Sequence, residues 1–359
     1  MKNTMKAALC FGPMDVRVVD QPIPTVEAGE VLIKVKLCMT SGTTVKQYAR
    51  GYPGWTYPFG WGYEWAGIIE DVGRGVDKSL IGKKVIAGYF HRECNCFFCR
   101  HGQPNLCASI RLLRAEELKV KKTESLESAG AFREYMKLPA DRVQVLPEGL
   151  SLEDAASVPT VAVVVHGNSN VDINPNDTVL IIGAGGIGQV HGLYSKLRGA
   201  QTIMVDRSQE RLDSAKKNGA ADIILNAGTK EEAKSKLKEL NVNEGWGPDI
   251  VIEAIGQPAT WEEAVELVRR GGQVLFYGGC KEGTTITLDT YRLHYDELRI
   301  SNSTTLSPIN RTIAYELVEK GLIKPSKFIT ASYPMTEIKT ALDNHMNQKG
   351  LRYAVIPSL

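Results

Sequence analysis

At 359 residues the chain is longer than one ordinary core and suits two domains of roughly 150 residues each. Its 43 basic and 41 acidic residues leave a formal charge of +2, with no basic stripe to follow a phosphate backbone, so charge argues against nucleic acid as a partner. The most apolar run, Val158 to Val165, is far shorter than the ~20 residues of a membrane helix and contains Pro159, so no membrane span is expected.

The first ten residues carry two lysines but no apolar stretch of signal-peptide length, and they lead directly into a strand-like segment. A cytoplasmic, reducing setting is the expectation. Four of the seven cysteines fall between Cys94 and Cys107, and in that setting the cluster reads as metal ligands and not as disulfides.

Residues 5 to 150 alternate short β-rich stretches, such as Val31 to Leu37 and Gly82 to Ala87, with turns such as Tyr52-Pro53-Gly54. A β-rich domain is expected over 1–150. From residue 151 the texture changes to apolar strands at Thr178 to Ile182, Gln201 to Val205, Asp249 to Ala254 and Gln273 to Tyr277, separated by helical patterns. That alternation predicts an α/β unit over 151–303, a doubly wound parallel sheet with crossover helices. Lys230 to Leu240 interleaves lysine and glutamate at helical spacing and reads as a solvated surface helix.

Residues 304–359 hold two more helical patterns, Ala314 to Lys320 and Thr336 to Asn347, and an apolar strand, Tyr353 to Pro357. The strand either extends the parallel sheet or returns to the first domain. Six strands already fill a nucleotide-binding sheet by residue 303, which favours the return.

The strand Thr178 to Ile182 runs into Gly183-Ala184-Gly185-Gly186-Ile187-Gly188 and then into a helical segment, Gln189 to Arg198. This is G-x-G-x-x-G between a strand and a helix, the dinucleotide fingerprint of a Rossmann domain. Gly183 permits the tight turn, Gly185 lets the backbone approach a pyrophosphate, and Gly188 allows the helix to pack on the strand. The helix N-terminus then holds the anion. Asp206 follows 18 residues beyond Gly188, where an acid bonds the adenosine ribose and repels a 2′-phosphate. NAD is therefore favoured over NADP, with Arg207 placed to stack on adenine or to hold a phosphate. Gly256 and Gly278, at carboxyl ends of predicted strands, lie on the edge where such sheets bind ligands.

Cys94, Cys96, Cys99 and Cys107 spell C-x-C-x2-C-x7-C on a loop with Gly102 and Pro104. Four thiolates make a closed tetrahedral site, so a zinc there is structural and leaves no position for a substrate. The alternative is a loop of free thiols. His91, Glu93 and His101 are nearby substitutes.

Pro58-Phe59-Gly60-Trp61-Gly62-Tyr63-Glu64-Trp65-Ala66-Gly67, the cysteine loop at 91–107, Gly130-Ala131-Phe132-Arg133-Glu134-Tyr135 and Gly183 to Gly188 together resemble the zinc-type medium-chain dehydrogenase/reductase family, in its threonine and polyol dehydrogenase-like branch. The resemblance spans almost the whole chain. It implies a GroES-like catalytic domain built from both chain ends, a Rossmann domain between them, an active site in the interdomain cleft, and homodimers or homotetramers acting on a small-molecule substrate.

The family's C-G-T-D-x-H reads here Ser41-Gly42-Thr43-Thr44-Val45-Lys46, its G-H-E reads Gly62-Tyr63-Glu64, and its third catalytic ligand falls on Pro159. Proline cannot bind a metal, and serine with tyrosine is not the N/S set that zinc prefers. A catalytic zinc is therefore expected to be absent. In the cysteine loop the family's first ligand falls on Glu93, with Cys94 displaced by one residue, so Glu93 stands as an alternative ligand.

Without a Lewis acid, hydride transfer needs a side-chain proton donor or an already activated substrate. The candidates are Tyr63, Lys46, Thr43, Ser41 and Glu64, with Thr43 keeping the spacing of the family's relay hydroxyl and Lys46 placed to lower a phenol's pKa or to pair with Glu64. Trp55, Tyr57 and Trp61 could stack on a substrate ring or simply pack turns. Three readings follow: NAD(H)-linked interconversion of a secondary alcohol (polyol, sugar or cyclitol) and a ketone, zinc-independent reduction of a conjugated enone or iminium, and cofactor binding without turnover.

Overall fold

The computed structural model describes residues 3–51, 56–88, 94–107 and 130–358. The turn Tyr52-Pro53-Gly54, Trp55, His91 and Glu93 lie outside them. The chain divides into two compact units, one of residues 1–159 with 307–359 and one of residues 160–306.

The first unit is β-rich. Strands β1 (Thr4–Gly12) and β2 (Asp15–Pro22) form an antiparallel pair, followed by β3 (Glu30–Met39), β4 (Trp65–Val72), β5 (Lys84–Ala87), β6 (Tyr135–Pro139) and β7 (Val143–Val145). Along β3, Val31, Ile33 and Val35 recur at period two and enter one core with Tyr48, Phe59, Trp61 and Phe132. Tyr57, Phe59, Trp61 and Phe132 form a ladder of ring contacts with centroids 5.4 to 6.0 Å apart. Trp61 is fully buried, so it packs in this core and is not open to stack on a substrate ring.

The second unit holds β8 (Thr178–Ile182), β9 (Gln201–Asp206), β10 (Ile223–Asn226), β11 (Ile250–Glu253), β12 (Gln273–Phe276) and β13 (Arg299–Asn302). They form a six-stranded parallel sheet in the order β10-β9-β8-β11-β12-β13. Helices on both faces explain why these strands read as unbroken apolar runs. Leu180, Ile182, Ile203, Val205, Val251 and Val274 face one core, while Val179, Ile181, Met204, Ile250, Ile252 and Leu275 face the other. Each such side chain contributes about 1.5–3 kcal/mol by leaving water.

The last strands, β14 (Ile329–Pro334) and β15 (Arg352–Ile356), join the first unit's sheet, whose order is β14-β15-β3-β4-β5-β7 with β6 also on β3. β15 pairs antiparallel with β3 through Ala354–Met39 and Val355–Cys38.

Three local expectations shift. The stretch expected as a strand from Gly82 begins at Lys84, because Gly82 has φ +82° and sits in the preceding turn. The helix after the glycine motif starts at Gly186, not Gln189, since Gly185 is already its N-cap. The apolar run from Val158 is a helix, Val158–Asn168, with Pro159 in its first turn, where no intrahelical N–H is needed. Among the described residues no helix is long and apolar enough to cross a membrane.

Candidate active site

The glycine motif is shaped by what a Cβ would strike. At Gly188 it would lie 1.9 Å from the Gly183 carbonyl oxygen, so only glycine lets the helix Gly186–Leu197 rest on the end of β8. Gly183 has φ +107°, in the region that favours glycine. Among the described residues, the one atom within 4 Å of a Cβ built on Gly185 is a nitrogen of the Arg211 guanidinium, at 3.9 Å, which leaves room at the helix N-terminus where an anion would sit. Gly186 and Ile187 form the first turn of that helix.

Asp206 closes β9 and ties this turn together. Its Oδ2 accepts from the Ala184 N–H at 2.7 Å and its Oδ1 from the Ser208 N–H at 2.8 Å. Arg207 is exposed, and its carbonyl accepts from Asn226 Nδ2. Arg211, on the helix Gln209–Lys217, brings a guanidinium close to the glycine turn, which sequence reasoning missed. Its signal was the helical stretch directly after the acid.

At the next strand ends, a Cβ on Gly278 would lie 2.3 Å from the Gly256 N, so both glycines are required by close packing of the two loops. Glu253, fully buried, shapes that junction. Its Oε1 accepts from the Ile255 and Gly256 N–H groups, both at 2.8 Å, and from Thr260 Oγ1 at 2.7 Å. Burial pushes its carboxyl above the ordinary range, against those hydrogen bonds.

In the first unit, Ser41 has a structural task. It is the N-cap of the helix Gly42–Arg50, accepting from the Thr44 N–H at 3.2 Å while Thr44 Oγ1 accepts from the Ser41 N–H at 2.7 Å. Thr43 and Lys46 lie on the exposed face of this helix, and Thr44, Val45, Gln47 and Tyr48 on the buried one. Tyr63 is 41% exposed, and its hydroxyl meets the carboxamide of Gln47, donating to Oε1 at 2.9 Å and accepting from Nε2 at 2.6 Å.

Glu64 does not pair with Lys46. Its carboxylate is buried and turned toward β15, where the Arg352 Nη2 donates to it. Arg352 also donates from Nη1 to Ser157 Oγ at 3.2 Å and from Nε to the Thr40 carbonyl at 3.3 Å. Each partner lies within two residues of a position that the resemblance assigns to a catalytic ligand: Thr40 beside Ser41, Glu64 beside Tyr63, and Ser157 two residues before Pro159. Sequence reasoning began this last strand at Tyr353, one residue late. An arginine heading a buried strand was the available signal.

Two family models match the chain, "Alcohol dehydrogenase GroES-like domain" over residues 27–148 and "Zinc-binding dehydrogenase" over residues 186–320. The starvation-sensing protein RspB of Escherichia coli (strain K12) is 30% identical over 342 residues, 94% of each chain. A sorbitol dehydrogenase of Bombyx mori is 31% identical over 347 residues, again 94% of each. The crystal structure of an RspB from E. coli CFT073 in complex with NADH superposes with a TM-score of 0.81 at 26% identity, covering 99% of both chains. The chain belongs to the zinc-binding, alcohol dehydrogenase-like family. It is thus an NAD(P)-dependent oxidoreductase of the medium-chain type.

Within that family, the dehydrogenase carries a metal-capable cluster away from Ser41 and Tyr63. The Sγ atoms of Cys94, Cys96, Cys99 and Cys107 all lie within 4.8 Å of one another, with Cys96 and Cys107 3.9 Å apart. Zinc–sulfur bonds of about 2.3 Å in a tetrahedron require sulfur separations of about 3.8 Å, so the four thiols fit the ion. Burial, together with the Cys107 and Cys96 thiols, pushes Cys99 up to about 12, a resistance to ionisation that a bound cation would relieve. His101 instead stacks on Phe97 and bonds its carbonyl oxygen, and Glu93 and His91 are outside the described residues.

The positions that the resemblance assigns to the family's catalytic ligands give a different donor set. The Ser41 hydroxyl caps a helix, the Tyr63 hydroxyl is held by Gln47, and the Pro159 side chain has no metal-ligating atom. Among the described residues, the one group of His, Cys, Asp and Glu side chains close enough to share an ion is the cysteine cluster. The residues at Ser41, Tyr63 and Pro159 do not fit a catalytic zinc.

Proposed function

We propose that this dehydrogenase interconverts a secondary alcohol of the polyol, sugar or cyclitol kind and its ketone with NAD(H), using a side-chain proton donor where its family uses a catalytic zinc. The carrying observation is Tyr63: the position that the resemblance gives to a zinc ligand holds a phenol that is partly exposed to solvent and fixed by a buried amide. The alcohol class is supported by the sorbitol dehydrogenase of Bombyx mori at 31% identity.

When bound, NADH supplies the hydride that reaches the carbonyl carbon. The turn Gly183 to Gly188 would hold the pyrophosphate at the helix N-terminus, with Asp206 on the adenosine ribose, Arg207 and Arg211 beside it, and Gly256 and Gly278 keeping the strand ends open. Asp206 favours NAD over NADP because its carboxylate repels a 2′-phosphate.

On the substrate side, Tyr63 gives a proton to the carbonyl oxygen as it becomes an alcohol. Lys46 favours the phenolate through its positive charge, and Thr43 provides a hydroxyl relay on the same exposed helix face. Ser41 and Glu64 hold the segments that carry these groups, by capping the helix and by pairing with Arg352. Cys94, Cys96, Cys99 and Cys107 would hold one structural zinc, with Glu93 as the alternative to Cys94. The enzyme works in the cytoplasm as a homodimer or homotetramer.

The test is turnover of Tyr63→Phe, expected to fall at least about a hundredfold, the scale of a general acid. A near-normal rate removes Tyr63 from the chemistry. Cofactor reduction with polyols is expected; NADH oxidation with conjugated enones alone would transfer the assignment to an alkene reductase, and tight NADH binding with no turnover on either panel to a binding protein.

A further inference from the structure

We propose that Gln47 is the residue that orients the Tyr63 phenol and stabilises its deprotonated form, an inference resting on the reading of Tyr63 as proton donor. Gln47 sits on the buried face of the helix Gly42–Arg50, only 2% exposed, and its backbone carbonyl accepts from the Gly51 N–H at 2.8 Å. Its side chain reaches outward to Tyr63 with both ends of the amide. Oε1 accepts the phenol proton at 2.9 Å, and Nε2 donates to the phenol oxygen at 2.6 Å.

A phenol as exposed as Tyr63 would sample many orientations in water, and each costs turnover if the proton points away from the substrate. The amide removes that freedom. It also acts unequally on the two protonation states. The Nε2–H bond is charge-assisted once the phenol oxygen is an anion, and such bonds are roughly twice as strong as neutral ones. A substrate carbonyl can replace Oε1 as acceptor of the phenol proton while Nε2 keeps hold of the oxygen.

In the step that results, the hydride forms a C–H bond at the carbonyl carbon, the Tyr63 O–H bond breaks, and its proton forms the new alcohol O–H. The phenolate left behind accepts from Gln47 Nε2 and is reprotonated from solvent. The nicotinamide cofactor is the reductant and no other is required.

The experiment is the pH profile of kcat for ketone reduction in the wild type, Gln47→Leu, Gln47→Glu and Tyr63→Phe, each checked for folding by thermal melting and for NADH affinity. A general acid must be protonated for reduction, so the rate falls above its pKa. Gln47→Leu removes the donor to the phenolate, and its alkaline limb should move up by about one to two pH units, with kcat lowered about tenfold or more and NADH affinity unchanged. Gln47→Glu keeps the shape but places a carboxylate on the phenolate, so its limb should move further up. If both Gln47 variants fold and keep the wild-type limb while Tyr63→Phe is inactive, Gln47 only packs and the inference fails. If Tyr63→Phe turns over normally, the reading of Tyr63 fails first.

Discussion

The guanidinium of Arg352, at the start of β15, donates to the carboxylate of Glu64, 288 residues earlier in the chain, and both groups are almost wholly buried. Burial makes the pair a poor source of net stability but an expensive one to break, because the survivor is left charged and unpaired. Glu64→Gln should lower the unfolding free energy by about 3–5 kcal/mol, measured by denaturant titration. A loss below about 1 kcal/mol would mean that water reaches the site and that Arg352 does not hold its three segments.

Asp206 spends both carboxylate oxygens on backbone N–H groups and still lies where a ribose is expected. Asp206→Ser should weaken NADH by about tenfold to a hundredfold, the scale of hydrogen bonds to a charged group, and narrow the preference over NADPH. Steady-state kcat/KM with each cofactor reads this out. An unchanged ratio would remove Asp206 as the selecting residue.

Metal analysis of the purified enzyme should return one zinc per chain, lost in Cys99→Ser together with part of its thermal stability. Two zinc ions per chain would contradict the donor set at Ser41, Tyr63 and Pro159.

His191 lies fully buried in the second unit, its Nδ1 2.8 Å from Asn168 Nδ2 and its ring edge-on to Tyr277. Burial pushes its pKa down to about 3. The folded value lies below the unfolded value of about 6.5, so the unfolded chain binds the extra proton, and stability present above pH 6.5 is lost as pH falls toward 3. Between pH 6.5 and 5 this one group should cost about 2 kcal/mol. Denaturant titrations at the two pH values should show that difference shrinking in His191→Gln; an unchanged pH dependence would locate the acid sensitivity elsewhere.

The parallel sheet was legible because its strands carry their own signals. Val179 to Ile182 and Ile250 to Ile252 are unbroken apolar runs, and the glycine motif sits between the first strand and its helix. The cysteine cluster was legible from spacing. Arg352 and Gln47 were not, because neither belongs to a local pattern. Arg352 acquires its meaning only when β15 is laid beside β3, and Gln47 only when the loop carrying Tyr63 is folded over its helix. The pairing of Glu64 was misjudged for the same reason: Lys46 is near in sequence, but it lies on the solvent side of a helix whose other side is buried.

The insertion of β15 between β14 and β3 also orders events during synthesis. Residues 160–306 are contiguous and can fold as soon as they emerge, since domains fold as units. The first unit cannot: until β15 is made, the Cys38–Met39 end of β3 lacks its strand partner, with Glu64 lacking the Arg352 guanidinium and Thr40 lacking both its β15 partners. The strands of the first unit that precede residue 160 are therefore completed only after the second unit has been made. During that interval the nascent chain holds a short open length of β-edge at Cys38 and Met39, of the kind that invites pairing with the wrong partner.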